Sequence, residues 1–566
     1  MIEISVRGDN VLFIGKGAEF LRLKSCVLGC VNEADLQLAA KGQFALPLIT
    51  FPRVSSALNE HGYTYPSELS ELVRAANENN DRHLMARSEI NKLIADFDCE
   101  LKDEHWSKVL DPQQALGVRC MTTDGLNGMC LFDEQGAGKT VMSIAAFDIL
   151  FRRGDVSALI VVCPKSMAEE WRKEFSRFLG DTYSVEILLG SQQDKAAQIY
   201  KQSDVLISNF EGFRGNLQQL KASTASRSTA LIVDESFNVK NPDAIRSAAC
   251  YELREVCTVA FCLCGTPAPN QPADIIHQFN IADGGFTFDG YRAPKDISQA
   301  KQQIISRIEE RGVFLRRLKS ELLPDLPSKS FHVRSVTLGG KQARLYEHAK
   351  DELVLYLRSL DNTRFRRELG TYFQKRSALL QICVDPSLVD PGYDEVPAKY
   401  VELDKIVESV IEVRQEKLVI WSYYTKTLDE LMDRYGHLGV VRIDGTVSGA
   451  ERGDAVMSFQ SDPEMKIFIG NPAAAGAGIT LHAASDAVYL SYSNQAAHYL
   501  QSLDRIHRRG QQAEQVNYHL LIASGTIEES ELARLRQKER EQQELLNDNV
   551  PWPSSLDCAL RELGAL

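Results

Sequence analysis

Residues Asp133 to Thr140 read DEQGAGKT. The closing GKT has the form of a phosphate-binding loop, but the place where the usual pattern wants its first glycine is taken by Asp133. The physics is less strict than the pattern. Gly136 and Gly138 can adopt positive φ and let backbone N–H groups close on phosphate oxygens. Lys139 can reach the outer phosphates, and Thr140 offers a hydroxyl to Mg²⁺. The apolar run GMCLF (Gly128 to Phe132) precedes the loop, and VMSIAAFDILF (Val141 to Phe151) follows it at helical spacing. The loop therefore joins a strand to a helix N-terminus, where unpaired N–H groups and the helix dipole favour an anion.

Outward from the loop, short apolar strands alternate with helices: ALIVVCP, SVEILLG, DVLISNF, TALIVDES and VAFCLCGTP. The pattern stops near residue 280 and resumes with KLVIWSYY, GVVRIDG, KIFIGNP, AVYLSYS and NYHLLI. Such interleaving predicts an α/β fold with two parallel-sheet lobes, each sheet covered on both faces. The expected organisation is an accessory α+β domain over 1–104, a first lobe over 105–285, a helical segment over 286–395 and a second lobe over 396–566. The accessory domain is read from IEISV and NVLFIG, followed by the helical stretches YPSELSELVRAANENN and ARSEINKLIADFD.

A chain of 566 residues, 44% hydrophobic and 25% charged, is globular and too long for one ordinary core. It has no run of about twenty apolar residues, and MIEISVRGDN is not a secretory start; the expectation is no membrane partner and a cytoplasmic protein of a bacterium or phage-infected cell. The twelve cysteines are scattered without the paired spacing of zinc sites. Cys257, Cys262 and Cys264 alternate as in a buried strand. A net charge of −13 excludes a general polyanion coat but not local phosphate contacts. The basic stretch from Lys341 to Arg376 carries Arg364, Arg366, Arg367, Lys375 and Arg376 with Phe365 and Tyr372 among them, and on its own it reads as a solvated helix face.

Three further features carry chemistry. The strand ALIVDES ends in Asp234 and Glu235; beside such a loop, the first acid suits Mg²⁺ and the second suits activation of water. Gln114, in LDPQQALGV, has an amide that can answer the adenine edge. In QSLDRIHRRGQ, Arg505 and Arg508 stand one turn apart on a presumed helix, so both can face one phosphate.

In order, LDPQQ, DEQGAGKT, VVCPKSMAEEW, DVLISNFE, VDES, CGTPAPN, VIWSYY, RIDGTVSGAER, GNPAAAGAGITL and QSLDRIHRRGQ resemble the motif set of helicase superfamily two, specifically its Swi/Snf-type double-stranded DNA translocases. The resemblance spans about residues 105 to 535, and VFLRRLKSELLPDLPSK, LLQICVDPSLV and TIEES resemble elements particular to that group. It implies RecA-like lobes, the cofactors ATP and Mg²⁺, and translocation on double-stranded or branched DNA. Gly136, Ala137, Gly138, Lys139, Thr140, Gln114, Asp234 and Gly478 would bind nucleotide, with Thr140 and Asp234 on the metal. Glu235 would be the base, and Arg505 and Arg508 would complete the site. Lys165, Ser166, Asn209, Thr266, Asn270 and Thr446 would touch the nucleic-acid backbone.

Two departures stand out. Phe237 occupies the place of a histidine that usually links hydrolysis to movement, and NQA (Asn494 to Ala496) replaces the common Trp-Asn-Pro. Serine at Ser236 and the run GTPAPNQPADI are like the annealing-helicase branch. Phe237 leaves open the reading of a DNA-binding scaffold with a weakly coupled ATPase, and an RNA-directed ATPase is a third reading.

Overall fold

A computed structural model describes residues 2–7, 10–31, 37–40, 42–47, 51–268, 271–288, 291, 293–294, 296–323, 326–447, 449–475, 479–492, 496–541 and 555–565. The chain divides into two units, one of Met1–Asp133 with Gly138–Arg317, the other of Glu134–Ala137 with Leu318–Leu566.

The first unit opens with strands β1 (Glu3–Arg7), β2 (Asn10–Ile14), β3 (Gln37–Ala40) and β4 (Gln43–Pro47), an antiparallel sheet in the order β1-β2-β4-β3. Val11, Phe13, Phe44 and Leu46 pack there against Phe20, Leu23 and Val27 of helix Gly17–Cys30. The Phe13 and Phe44 rings stack with centroids 4.6 Å apart.

Where two helical stretches were expected next, one helix runs without a break from Ser67 to Ala95. The Asn- and Asp-rich middle, Asn77 to Asp81, has poor intrinsic helix propensity, a cost of a few tenths of a kcal/mol per residue. Packing at both ends outweighs it: Leu69 and Val73 lie in the small sheet's core, and Ala86, Ile90 and Leu93 lie in the core of the next sheet.

That sheet holds β5 (Gly128–Leu131), β6 (Ala158–Cys163), β7 (Val185–Ile187), β8 (Val205–Asn209), β9 (Thr229–Asp234), β10 (Val259–Leu263) and β11 (Phe314–Leu315). All pairs are parallel, in the order β11-β5-β10-β9-β6-β8-β7. β5, β6, β9 and β10 are buried along their whole length, as continuous apolar runs require when helices cover both faces. The register pairs Leu131 with Leu263, Leu263 with Asp234, and Cys163 with Asn209, so the strand ends that carry the candidate residues share one edge.

The second unit holds a parallel sheet of β12 (Ser328–Val336), β13 (Lys417–Trp421), β14 (Val440–Ile443), β15 (Ile467–Gly470), β16 (Ala484–Tyr489) and β17 (Gln515–Ala523), in the order β12-β17-β16-β13-β15-β14. The stretch read as helical does carry helices Ile297–Arg311, Gly340–Arg358 and Leu369–Val384. It also contributes β11 and β12. β11 has only two residues, and β12 is an edge strand with much of its length exposed, so neither shows the continuous apolar run of a central strand.

In the basic stretch the aromatic residues are core: Phe365 and Tyr372 are buried with Leu379 and Cys383. Arg376 is buried too, paired with Glu531 (2.8 Å) and with Glu562 (2.6 Å) of helix Leu556–Glu562. Arg364, Arg366 and Arg367 are exposed. All twelve cysteines are free thiols, and burial pushes those of Cys257 and Cys264 up to about 12, as expected of core residues. Among the described residues no helix is long and apolar enough to cross a membrane.

Candidate functional site

The edge formed by the ends of β5, β6, β8, β9 and β10 gathers the residues singled out in the first unit. Gly138 takes φ 85° as the N-cap of helix Lys139–Arg153, a conformation costly for any residue with a Cβ. It has no room for one either, because the Gln114 amide fills that space. Lys139 is the first residue of the helix and its Nζ donates to the Asp133 carbonyl at 2.7 Å. Gly136, at φ 90°, and Ala137 belong to the four residues that group with the second unit.

Asp133 supplies the reason for an acid at the start of the loop. It is fully buried, and its carboxylate accepts from the Arg317 backbone N–H (2.9 Å) and from Arg317 Nε (3.1 Å). Arg316 Nη1 donates to the Phe132 carbonyl at 2.9 Å. The two arginines of FLRRLK thus fasten the end of β5 just where the loop leaves it. A glycine in place of Asp133 would leave the Arg317 guanidinium without this buried partner.

Gln114 is the third residue of helix Pro112–Met121 and forms a reciprocal cap with Asp111: its N–H donates to Asp111 Oδ1 at 2.9 Å, and its Oε1 accepts from the Asp111 N–H at 3.2 Å. The carbonyl end of the amide is thereby fixed, and the NH₂ end lies against Gly138.

Asp234 and Glu235 stand at the end of β9. Trp171 Nε1 donates to Asp234 Oδ2 (2.9 Å) and the Glu235 N–H donates to Oδ1 (2.8 Å), which fixes the carboxylate. Burial pushes the Asp234 carboxyl above the usual carboxylate range, opposed by the Trp171 hydrogen bond and the Lys139 charge. Glu235 sits in the left-handed region at φ 49°, ψ 53°. For a residue with a Cβ this costs on the order of 1–2 kcal/mol, strain of the kind found at functional positions.

Of the candidate nucleic-acid contacts, Lys165 is exposed and Ser166 half-buried on the short turn after β6. Asn209 caps helix Phe210–Gly215, its Oδ1 accepting from the Gly212 N–H at 2.7 Å. Thr266 is only 4% exposed, beneath the surface rather than on it. In the second unit Thr446 is exposed after β14, and its hydroxyl donates to Asp444 at 2.6 Å. Asn270, Gly478 and Asn494 fall outside the described residues.

Arg505 and Arg508 are not on a helix. Helix Ala496–Leu503 ends just before them, and they lie in the turns that follow. The turn is held by Asp504, which is buried and pairs with Lys319 (2.9 Å) and Lys329 (3.3 Å), and by the Leu481 N–H donating to the Arg505 carbonyl at 2.9 Å. Two lysines hold the Asp504 carboxyl far below the usual range despite its burial. The two arginines converge by another route than helical spacing: Arg505 Nη1 and Arg508 Nη1 both donate to the Ile479 carbonyl, each at 3.1 Å.

A buried acid pair, a lysine at a helix N-terminus and a tight glycine loop gather on the carboxyl edge of a parallel sheet, an edge suited to a phosphate-bearing ligand. Comparison with known proteins narrows it. The SNF2-related domain matches residues 113–388, and the helicase conserved C-terminal domain follows over 398–510. The chain belongs to the Swi/Snf-type family of helicase superfamily two. It is 27% identical to YwqA of Bacillus subtilis, over 86% of this chain and 53% of that protein. It is 26% identical to the DNA repair and recombination protein RAD54 of Saccharomyces cerevisiae, over 73% of this chain and 52% of that protein. The chain thus spans about half the length of these curated relatives. A solved structure, the Sulfolobus solfataricus SWI2/SNF2 ATPase core in complex with dsDNA, is 23% identical over 75% of this chain and 90% of its own, with a TM-score of 0.36.

Within this Swi/Snf-type core, sequence reading passed over several residues that shape the site. Trp171 lies inside the quoted motif VVCPKSMAEEW, but nothing in its spacing points to Asp234. Arg317 answers Asp133 from 184 positions away. Arg452 clamps the loop bearing Thr446, donating to the carbonyls of Asp444 (3.0 Å), Val447 (3.0 Å) and Ala474 (3.1 Å).

Proposed function

We propose that this chain is an ATP hydrolase that translocates on double-stranded or branched DNA, coupling turnover to remodelling of DNA or of protein–DNA complexes. The observation that carries the reading is the Asp234–Glu235 pair at the end of β9, one acid fixed by Trp171 and the other in strained backbone, beside a helix that begins at Lys139. In the wider family such a pair acts on the water that attacks a terminal phosphate.

Lys139 and the backbone N–H groups at the start of its helix bind and orient the phosphates. Thr140 and Asp234 are the oxygen donors suited to Mg²⁺, and Asp234 fits the role because its buried carboxylate is short of compensating positive charge. Magnesium, when bound, supplies charge for the phosphate oxygens. Glu235 orients the attacking water and accepts its proton. Arg505 and Arg508 act during turnover on the charge that develops at the transferred phosphate.

Lys165, Ser166 and Thr446 favour backbone over base contacts, which makes binding salt-dependent and little dependent on sequence. The test is ATP turnover with duplex, forked and single-stranded DNA and with RNA. Stimulation by duplex or forked DNA is expected; stimulation by RNA alone, or by none of them, rejects the reading.

A further inference from the structure

The turn that follows Glu235 and the stretch that follows β10 are joined through the interior. Ser236 and Gln278 are both fully buried. Ser236 Oγ donates to Gln278 Oε1 at 2.6 Å, and Gln278 Nε2 donates to the carbonyls of Pro267 (2.6 Å) and Asp274 (2.9 Å). This arrangement has one orientation. Two carbonyls can be served only by the NH₂ end of the amide, so Oε1 faces Ser236, whose hydroxyl must donate.

Two lesser ties run beside it. Lys240 Nζ, at the far end of the same turn, bonds Asp274 Oδ2 at 3.1 Å. Cys264 Sγ receives the backbone N–H of Thr266 at 3.3 Å and also that of Phe237. Gln278 is the hub, because its amide reaches the turn beside Glu235 and the segment bearing Thr266 at once. A buried polar group released from such a network keeps its desolvation cost, so the turn and the segment shift together or not at all.

Phe237 cannot make the polar link that a histidine at its place would make. We infer that Gln278, reached through Ser236, is the positioning residue that couples the hydrolytic acid Glu235 to the segment after β10 in this chain. The inference rests on the reading of the protein as a DNA-stimulated ATPase. The Ser236 hydroxyl donates to Gln278, and the bonds that hold Lys139 to Asp133 and that fix the Asp234 carboxylate do not pass through it. Its loss should therefore leave unstimulated hydrolysis standing while removing the response to DNA.

The experiment compares the whole chain with Ser236→Ala and with Ser236→Thr, which restores a hydroxyl. Turnover is measured without DNA and across a duplex DNA titration, beside nucleotide affinity and the melting temperature. Ser236→Ala is expected to keep unstimulated turnover and nucleotide affinity within about twofold. Its maximal DNA-stimulated turnover should fall by about tenfold, with the DNA concentration for half-stimulation unchanged. Ser236→Thr should recover most of the stimulation. Stimulated and unstimulated rates falling together, or Ser236→Ala responding fully to DNA, overturns the inference. A wild-type protein that ignores DNA sinks the functional reading, and the coupling role with it; a responsive wild type with responsive variants sinks the coupling role alone.

Discussion

Asp234 and Asp504 are both buried carboxylates in parallel-sheet units, and their surroundings push them in opposite directions. Asp234 meets an indole N–H and the charge of Lys139, not enough to offset its desolvation, and its carboxyl is held above the usual range. Asp504 meets the ammonium groups of Lys319 and Lys329 and is held well below it. The first unit keeps an electrostatic deficit at the end of β9, and the second has closed its own. A buried acid left short of positive charge is suited to receiving a cation, whereas a buried acid with two lysines is suited to fixing a turn.

The sharpest way to break this contrast is to neutralise each acid. Asp234→Asn is expected to cut ATP turnover by roughly a thousandfold without lowering the melting temperature, since a poorly compensated buried charge is removed. Glu235→Gln should lose turnover to a similar degree while keeping nucleotide affinity, whereas Lys139→Ala should lose both; equal affinity losses in these two would refute their separate roles.

Asp504→Asn should act on stability instead. The buried Lys319 and the exposed Lys329 are left with a neutral partner, at a cost of about 3 kcal/mol in chemical denaturation. An unchanged denaturation midpoint would remove the contrast.

Next in size come Arg505→Ala and Arg508→Ala, each expected to slow DNA-saturated turnover by about a hundredfold while altering nucleotide affinity far less. Near-normal turnover in both would leave them a structural role, holding their turn through bonds such as those to the Ile479 carbonyl.

The smallest effect concerns pH. Burial, with Arg254, Arg87 and Arg311 nearby, lowers the His83 pKa from 6.5 to about 4. As pH falls the unfolded chain takes up this proton first, so the stability is full above 6.5 and is lost between 6.5 and about 4. In the second unit His507 is lowered to about 4 in the same way, by burial and by Lys329 and Lys319. Each histidine should cost its unit about 1 kcal/mol by pH 5.5, and His83→Asn should flatten that decline in the first unit alone. Hydrogen exchange resolved by segment across this range checks it.

Much of this was legible in the residues. The central strands are apolar along their length, and the loop, the acid pair and the arginine pair stand in a fixed order, so both parallel sheets and the nucleotide edge follow from local pattern. What escaped was set at a distance. β12 is a half-exposed edge strand whose partner, β17, lies far along the chain. Helix Ser67–Ala95 carries a polar middle that propensity alone would break. Arg505 and Arg508 converge through the Ile479 carbonyl rather than through a helical repeat. The partners of Asp133, Asp234 and Ser236 come from remote segments, and no periodicity encodes them.

The unbroken helix Ser67–Ala95 also bears on how the first unit comes apart. At 1.5 Å per residue its 29 residues span about 43 Å, with Leu69 and Val73 anchored in one core and Ala86, Ile90 and Leu93 in the other. Fraying that begins in the antiparallel sheet therefore runs along a shaft whose other end is seated in the core of the parallel sheet, beside the C-terminal end of helix Lys139–Arg153. The small sheet and the parallel sheet are expected to share one cooperative unfolding event, so that protease cleavage within the shaft loosens both.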